Sequence, residues 1–182
     1  MTFLFIPQHN QKIKELNQIK KYLNQRGIIY ERWATPVQFG HDADQDSILA
    51  AYADSLGPFM EKGGYKTSDV VMVNQDHPKI KDIRQMFLGE HTHTEDEIRF
   101  FVEGQGLFWF NLENNQPIFC LMCTEGDLIS VPANTKHWFD LGPKAHVKAI
   151  RIFIDPAGWV ANYTSSKIEQ EFNALYESIV QV

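Results

Sequence analysis

Short apolar segments separated by turn residues fill the middle of this sequence, and this pattern limits the fold more than any other feature. The segments are DVVMVN (69–74), EIRFFVEG (97–104), LFWFNL (107–112), IFCLMC (118–123), DLISVP (127–132) and VKAIRIFID (147–155). The predicted breaks between them include Gly104-Gln105-Gly106, Asn114-Asn115-Gln116-Pro117, Glu125-Gly126 and Pro132-Ala133-Asn134. Regularly spaced strands joined by hairpin turns predict an antiparallel sandwich or barrel.

Apolar residues at helical spacing lie on both sides of this β region. They predict helices at 13–23 and 48–60, the second interrupted or kinked at Gly57-Pro58, and a short helix at 78–86. A further helix is predicted at 168–179, with Ser165 or Ser166 as its N-cap. We therefore expect one domain over 1–182: a helical region (1–68) packed on a β-barrel core (69–155), then a C-terminal helix (156–182).

Composition and charge exclude several classes of function. Lys and Arg total 17 against 23 Asp and Glu, a formal charge of -6, which argues against nucleic acid or an anionic membrane as a partner. Two cysteines are too few for a disulfide framework, and no apolar run is long enough to span a membrane. We expect a cytoplasmic protein, and nothing in the sequence demands an oligomer.

One polar cluster carries the side chains of a metal site. His91 and His93 are two residues apart, so on an extended strand both imidazoles point to the same side. Glu97 follows after a short polar stretch, and His137 comes directly after a later turn. Three imidazoles and one carboxylate suit Fe(II), Ni(II), Mn(II) or Zn(II), and an octahedral metal would keep two positions for substrate oxygens.

The spacing of these residues resembles the two-part signature of the cupin superfamily. The first part is His91-x-His93-x3-Glu97-x6-Gly104, and the second is Gly126-x5-Pro132-x-Asn134-x2-His137. Asn134 replaces the usual Gly, but Asn tolerates left-handed backbone better than most residues. Leu141 replaces the usual closing Asn, and Gly89 is displaced from the position of the leading Gly. The resemblance implies a mainly β fold with peripheral helices, a cupin-type antiparallel β-barrel or jelly roll.

The flanking sequence is more specific. LGEHTHTEDEIRFFVEGQGLFW, VPANTKHWFDLG and IRIFIDPAGWVANY together resemble the acireductone dioxygenase family of the methionine salvage pathway. The resemblance implies one Fe(II) or Ni(II) per chain, bound by the four residues above. It also implies cleavage of 1,2-dihydroxy-3-keto-5-methylthiopentene by dioxygen. Iron would give 4-methylthio-2-oxobutanoate and formate, and nickel would give 3-methylthiopropionate, formate and carbon monoxide.

Two arginines and one tryptophan are candidates for binding the substrate. Arg99 shares strand parity with Glu97, and a buried Arg needs an anion, either the enediolate substrate or an acid such as Glu103. Arg151 lies on a strand that is apolar on both faces, so we expect a central strand with Arg151 inward, or a salt bridge at the rim. Trp159 is similar to an aromatic residue near the family's pocket, or fills the core.

Glu90 and Asp96 each precede a metal-binding residue, and strand alternation points both away from the metal. With Arg99 they form the predicted catalytic group, in roles that support the metal, and a solvated acidic face is the alternative. Cys120 and Cys123 are expected to be ordinary buried thiols. Two other functions stay open: a cupin isomerase acting on a sugar phosphate, and a non-catalytic metal-binding cupin.

Overall fold

The structure is a computed structural model, and it describes residues 1–40, 43–155 and 160–180. A 3-10 turn spans Pro7–His9, and the helices are α1 (Leu16–Asn24), α2 (Gln45–Ala51), α3 (Ala53–Gly63), α4 (Ile80–Phe87), α5 (Glu169–Asn173) and α6 (Tyr176–Val180). The strands are β1 (Phe3–Ile6), β2 (Gln11–Ile13), β3 (Ile29–Arg32), β4 (Thr67–Asn74), β5 (His91–Thr92), β6 (Glu97–Asn111), β7 (Phe119–Thr124), β8 (Asp127–Val131), β9 (Lys136–Asp140), β10 (His146–Phe153) and β11 (Asn162–Tyr163).

The long strand β6 organises the sheet. Its first half pairs with β8 on one side and β10 on the other, and its second half pairs with β7 and β9. Strand β10 also pairs with β4, so it is a central strand, as its apolar sequence predicts. All these pairings are antiparallel, and the sheet wraps around a core without closing into a complete ring.

The predicted turn at Gly104-Gln105-Gly106 is wrong, because β6 runs through these residues without a break. The register against β10 shifts at Val102, two residues before Gly104 with its positive φ of 81°, and the extra residue marks a β-bulge. The bulge changes which residues face inward: Arg99 and Phe101 before it, and Phe108 and Phe110 after it. A single bent strand therefore contributes to both halves of the barrel.

Three groups of buried side chains explain why the helices lie outside the sheet. The largest group lines the inner face and includes Phe108 and Phe139. A second group joins one outer face to α2 and α3 through Phe100 and Tyr52. A third joins the other outer face to α5 and α6 through Trp109. The mainly β architecture with peripheral helices is as predicted.

Details of the helices differ from the sequence prediction. The break in the 48–60 region lies at Tyr52, whose ring packs on Phe100 at 4.9 Å, and α3 continues across Gly57-Pro58. The C-terminal helix is two short helices, and neither Ser165 nor Ser166 is the N-cap, because α5 begins at Glu169 with Ile168 in the N-cap position. The helix predicted at 78–86 is present as α4.

The N-terminal region is less helical than the sequence predicts. It contains β1, β2 and β3 besides three helices, because short strands leave little periodic signal. Cys120 and Cys123 are buried and free, and they contribute to different core groups on opposite faces of β7, as predicted. Among the described residues, no helix is long and apolar enough to cross a membrane. Assignment of the whole chain to one domain stays a prediction.

Candidate metal centre

The four predicted metal-binding side chains meet at one end of the inner face. His91 lies on β5, His137 is its partner on β9, and Glu97 begins β6. The possible ligand atoms of these residues and of His93 all lie within 4.8 Å of one another, and all four residues are buried. The sequence motif therefore forms a metal site of three histidines and one glutamate.

Backbone carbonyls fix the orientation of each imidazole. The acceptors of the Nδ1 atoms are Gly89 O for His91 (2.7 Å), Val160 O for His93 (3.3 Å) and Thr135 O for His137 (2.8 Å). A carbonyl oxygen can only accept, so each Nδ1 carries a proton, and the neutral form of each ring presents the Nε2 lone pair. Burial, with the neighbouring His137, lowers the pKa of His91 to about 4, which keeps its ring neutral near pH 7.

Glu97 lies among these lone pairs. Its Oε2 is 2.6 Å from His137 Nε2 and 3.2 Å from His93 Nε2, and its Oε1 is 2.8 Å from Arg99 Nε. Burial raises the pKa of Glu97, but the charge of Arg99 opposes this, and the pKa is held well below its usual range. Lone pairs and a carboxylate that face one another fit a divalent cation placed between them.

Arg99 lies beside the site on the same face of β6. Its side chain is buried, and its acid partner is Glu97, since Glu103 instead pairs with Lys148 and His146. Burial lowers the pKa of Arg99, and the charge of Glu97 opposes this. The structure thus places a cation directly behind the metal-binding carboxylate.

Of the other two predicted substrate-binding residues, the structure describes Arg151 but not Trp159. Arg151 is the direct cross-strand partner of Arg99 on β10, so both side chains leave the same face of the sheet. Its guanidinium pairs with Asp69 through two contacts of 2.7 and 2.5 Å, and both side chains are about one-third exposed. This is the salt bridge at the rim that the sequence left open. Trp159 lies outside the described residues.

Glu90 is buried rather than part of a solvated acidic face. Asn111 donates to its Oε1, and the hydroxyls of Thr164 and Ser166 donate to its Oε2, at distances of 2.5 to 2.7 Å. Burial raises the pKa of Glu90, but these hydrogen bonds outweigh it and lower the pKa overall. Glu90 thereby fastens the 164–166 segment beside the metal site.

Asp96 supports the turn that leads to His137. Its Oδ1 accepts from Ala133 N at 3.0 Å, and its Oδ2 accepts from Tyr65 at 3.4 Å. Asn134 in this turn has a φ of 61°, the left-handed conformation that its sequence position predicts, and its N–H donates to His93 O.

Tyr163 is a neighbour of the site that sequence reasoning missed. Strand β11 pairs with β5, which places Tyr163 opposite His91 with the ring centroids 5.9 Å apart. The Tyr163 hydroxyl donates to Met86 O on α4. A two-residue strand has no measurable period, so only the pattern of a known family could have indicated it.

The open β-barrel and its three-histidine, one-glutamate centre define a cupin-type metal-binding protein. A family model described as the ARD/ARD' family matches residues 6–161. An acireductone dioxygenase of a Picosynechococcus species is 51% identical over 96% of this chain and 99% of its own. One of Methylococcus capsulatus is 45% identical over 90% of this chain and 87% of its own.

A solved structure agrees with these sequence comparisons. The acireductone dioxygenase of Bacillus anthracis, with a cadmium ion in its active center, has a TM-score of 0.81 and 32% identity, and the match covers 90% of this chain and 98% of that one. This chain belongs to the acireductone dioxygenase family and is a dioxygenase. The cupin-type fold prediction is confirmed, and the dioxygenase is favoured over the sugar-phosphate isomerase and the non-catalytic cupin.

Proposed function

We propose that this enzyme cleaves acireductone, 1,2-dihydroxy-3-keto-5-methylthiopentene, with dioxygen in methionine salvage. The observation that carries the proposal is the placement of Arg99 directly behind a buried centre of three imidazole lone pairs and Glu97. The relatives and the solved neighbour described above are acireductone dioxygenases, and they indicate the substrate class. The enediolate of acireductone is an anion with two adjacent oxygens, which suits such a centre.

His91, His93, Glu97 and His137 would hold one Fe(II) or Ni(II) per chain. When bound, the metal supplies Lewis-acid polarisation and a template for the two substrate oxygens. Neutral imidazoles and one carboxylate accept either metal, and the Irving–Williams order favours nickel whereas supply in the cell often favours iron. We propose that iron directs the products to 4-methylthio-2-oxobutanoate and formate, and nickel to 3-methylthiopropionate, formate and carbon monoxide.

The remaining residues bind and position. Arg99 favours binding of the substrate dianion, because a buried guanidinium that water does not solvate is stabilised by a negative charge beside it. Glu90 and Asp96 support catalysis by fixing the segments that carry or cover the ligands, Glu90 at 164–166 and Asp96 at the turn before His137. Arg151 adds positive charge at the rim, partly neutralised by Asp69. We also propose that Trp159 contacts the substrate, and this proposal is based on the family resemblance alone.

The test is oxygen consumption with synthetic acireductone, using apoprotein reconstituted separately with Fe(II) and Ni(II). We expect turnover with both metals, carbon monoxide only with nickel, and no turnover after chelation. Absence of turnover with either metal at full occupancy would refute the proposed activity. Identical products from both metals would refute only the metal-dependent product choice.

We also propose that the enzyme acts as a cytoplasmic monomer. Its two free, buried cysteines fit a reducing compartment, and its net charge of -6 does not favour an anionic membrane surface. Sedimentation should give a mass near 21.1 kDa. A concentration-independent mass of twice that value would refute the monomer.

A further inference from the structure

Three phenylalanine rings surround the guanidinium of Arg99. Its central carbon lies 4.6 Å from the ring centroid of Phe139, 5.3 Å from that of Phe108 and 5.6 Å from that of Phe87. The rings come from β9, the second half of β6, and α4, which are separate elements of the fold. A cation within about 6 Å of an aromatic face is attracted by the ring quadrupole.

The surroundings of Arg99 leave its positive charge in need of stabilisation. The side chain is only 8% exposed, and burying a cation costs free energy that nearby groups must offset. Its acid partner Glu97 belongs to the metal centre, where a bound cation competes for the same carboxylate. Its cross-strand partner Arg151 has the same charge, which is unfavourable at directly opposed positions.

We propose that Phe87, Phe108 and Phe139 are positioning residues that hold the Arg99 guanidinium in place for the anionic substrate. This inference rests on the proposed role of Arg99. A ring face attracts the cation without accepting a hydrogen bond in the plane of the guanidinium, where an oxyanion would bind. These three rings, which we call the aromatic cage, therefore stabilise the positive charge of Arg99 and fix the orientation of its guanidinium.

Phe139 is the ring for which we expect the largest effect. It is the nearest to Arg99, and it packs against Phe108 with the centroids 4.7 Å apart. Gly106 gives it space, because a Cβ at Gly106 would lie 2.0 Å from the Phe139 ring. The position of the ring is thus fixed by its neighbours.

Stepwise fluorination of the rings separates this role from simple core packing. Replacing Phe139 by 3,4,5-trifluorophenylalanine nearly preserves ring shape but removes most of the quadrupole. Phe100 is the matched control, since it is equally buried on β6 but faces Trp33 and Tyr52 on the outer side of the sheet. The measurement is the Kd of acireductone for metal-loaded protein under anaerobic conditions, by calorimetry, with metal content and Tm recorded beside it.

We expect fluorination at Phe139 to raise the Kd about fivefold, equivalent to about 1 kcal/mol, with intermediate steps for fewer fluorines. At Phe100 the Kd should change less than about twofold. An unchanged Kd at Phe139, or an equal change at Phe100, would overturn the cage. A normal Kd for Arg99→Met would overturn it as well. If acireductone binds under anaerobic conditions but no oxygen is consumed in air, only the proposed activity is refuted. A Kd that rises with each added fluorine would still support the cage.

Discussion

Two fully buried carboxylates, Glu97 and Asp127, show how differently the same group is used in one fold. Both side chains are 1% exposed or less, and both have several partners. The partners of Asp127 are hydrogen-bond donors: the hydroxyls of Thr2 (2.5 Å) and Tyr30 (2.6 Å), Arg32 Nη1 (2.7 Å) and Thr124 N (2.7 Å). Around Glu97 the imidazoles direct lone pairs inward, because their protons are on Nδ1.

The positions of the neighbouring protons, rather than burial, therefore distinguish a structural acid from a metal ligand. Burial and the hydrogen bond to Asp127 raise the pKa of Tyr30, so its hydroxyl remains a neutral donor at all moderate pH values. Donors within the protein thus satisfy the hydrogen-bonding needs of the Asp127 carboxylate. Glu97 together with three lone pairs instead needs a cation, and that need makes it a functional site.

Removing a ligand should give the largest effect. We expect His93→Ala to lose bound metal during desalting and to reduce turnover by more than about hundredfold, because loss of a direct ligand should exceed the effect of losing an outer partner. Elemental analysis and oxygen consumption measure the two effects. His77→Ala is the control, since the imidazole of His77 accepts from Lys79 N and is not among the four metal-binding side chains. Full metal retention by His93→Ala would contradict the assigned centre.

Removing the structural carboxylate should have the opposite pattern. Asp127→Ala leaves buried donors without an acceptor, and we expect it to lower the free energy of unfolding by about 3 kcal/mol. Urea unfolding measures this, while the metal content of the folded protein should stay at that of the wild type. Loss of metal at unchanged stability would show that the two carboxylates are not functionally distinct.

The sequence predicts the metal centre much better than the Asp127 network, and the reason is the range of the contacts. His91, His93 and Glu97 lie within seven residues, so strand parity and a short turn suffice to bring them together. Thr2 and Tyr30 lie 125 and 97 residues from Asp127. Thr2 precedes β1, and the four-residue strand β3 that carries Tyr30 has no periodic signal. The bulge at Val102 was missed for another reason: the nearby Gly104-x-Gly106 is a pattern found in turns as well as in bulged strands.

The turn before His137 offers an intermediate test. Asp96→Ala removes the acceptor of Ala133 N, and we expect about tenfold weaker metal binding because the turn no longer holds His137 firmly. Competition with a chelator of known affinity measures the change. Tyr65→Phe is the control, because it removes the 3.4 Å contact to Asp96 but leaves Ala133 N its acceptor, and it should weaken binding less than about twofold. Equal effects of the two variants would place the support elsewhere.

Glu103, a third acid, is the smallest test, because its side chain is 32% exposed. Lys148 Nζ and His146 Nε2 contact its carboxylate at 2.9 and 2.7 Å. Burial raises the pKa of Glu103, but these two hydrogen bonds outweigh it and lower the pKa overall. Stabilisation from a lowered carboxyl pKa is complete above the unfolded value and is lost as the pH falls through the folded value.

We therefore expect Glu103→Gln to lower the free energy of unfolding by about 0.5 to 1 kcal/mol at pH 7, a value reduced by solvent screening. The difference from wild type should shrink as the pH falls below about 4.3, the usual pKa of a glutamate, because wild-type Glu103 then also becomes neutral. Urea unfolding at several pH values measures this. If the difference in free energy of unfolding stayed constant down to pH 3, the substitution would act by disturbing packing rather than by removing a charge. Glu103 would then stabilise the fold through its shape and not through its ion pairs.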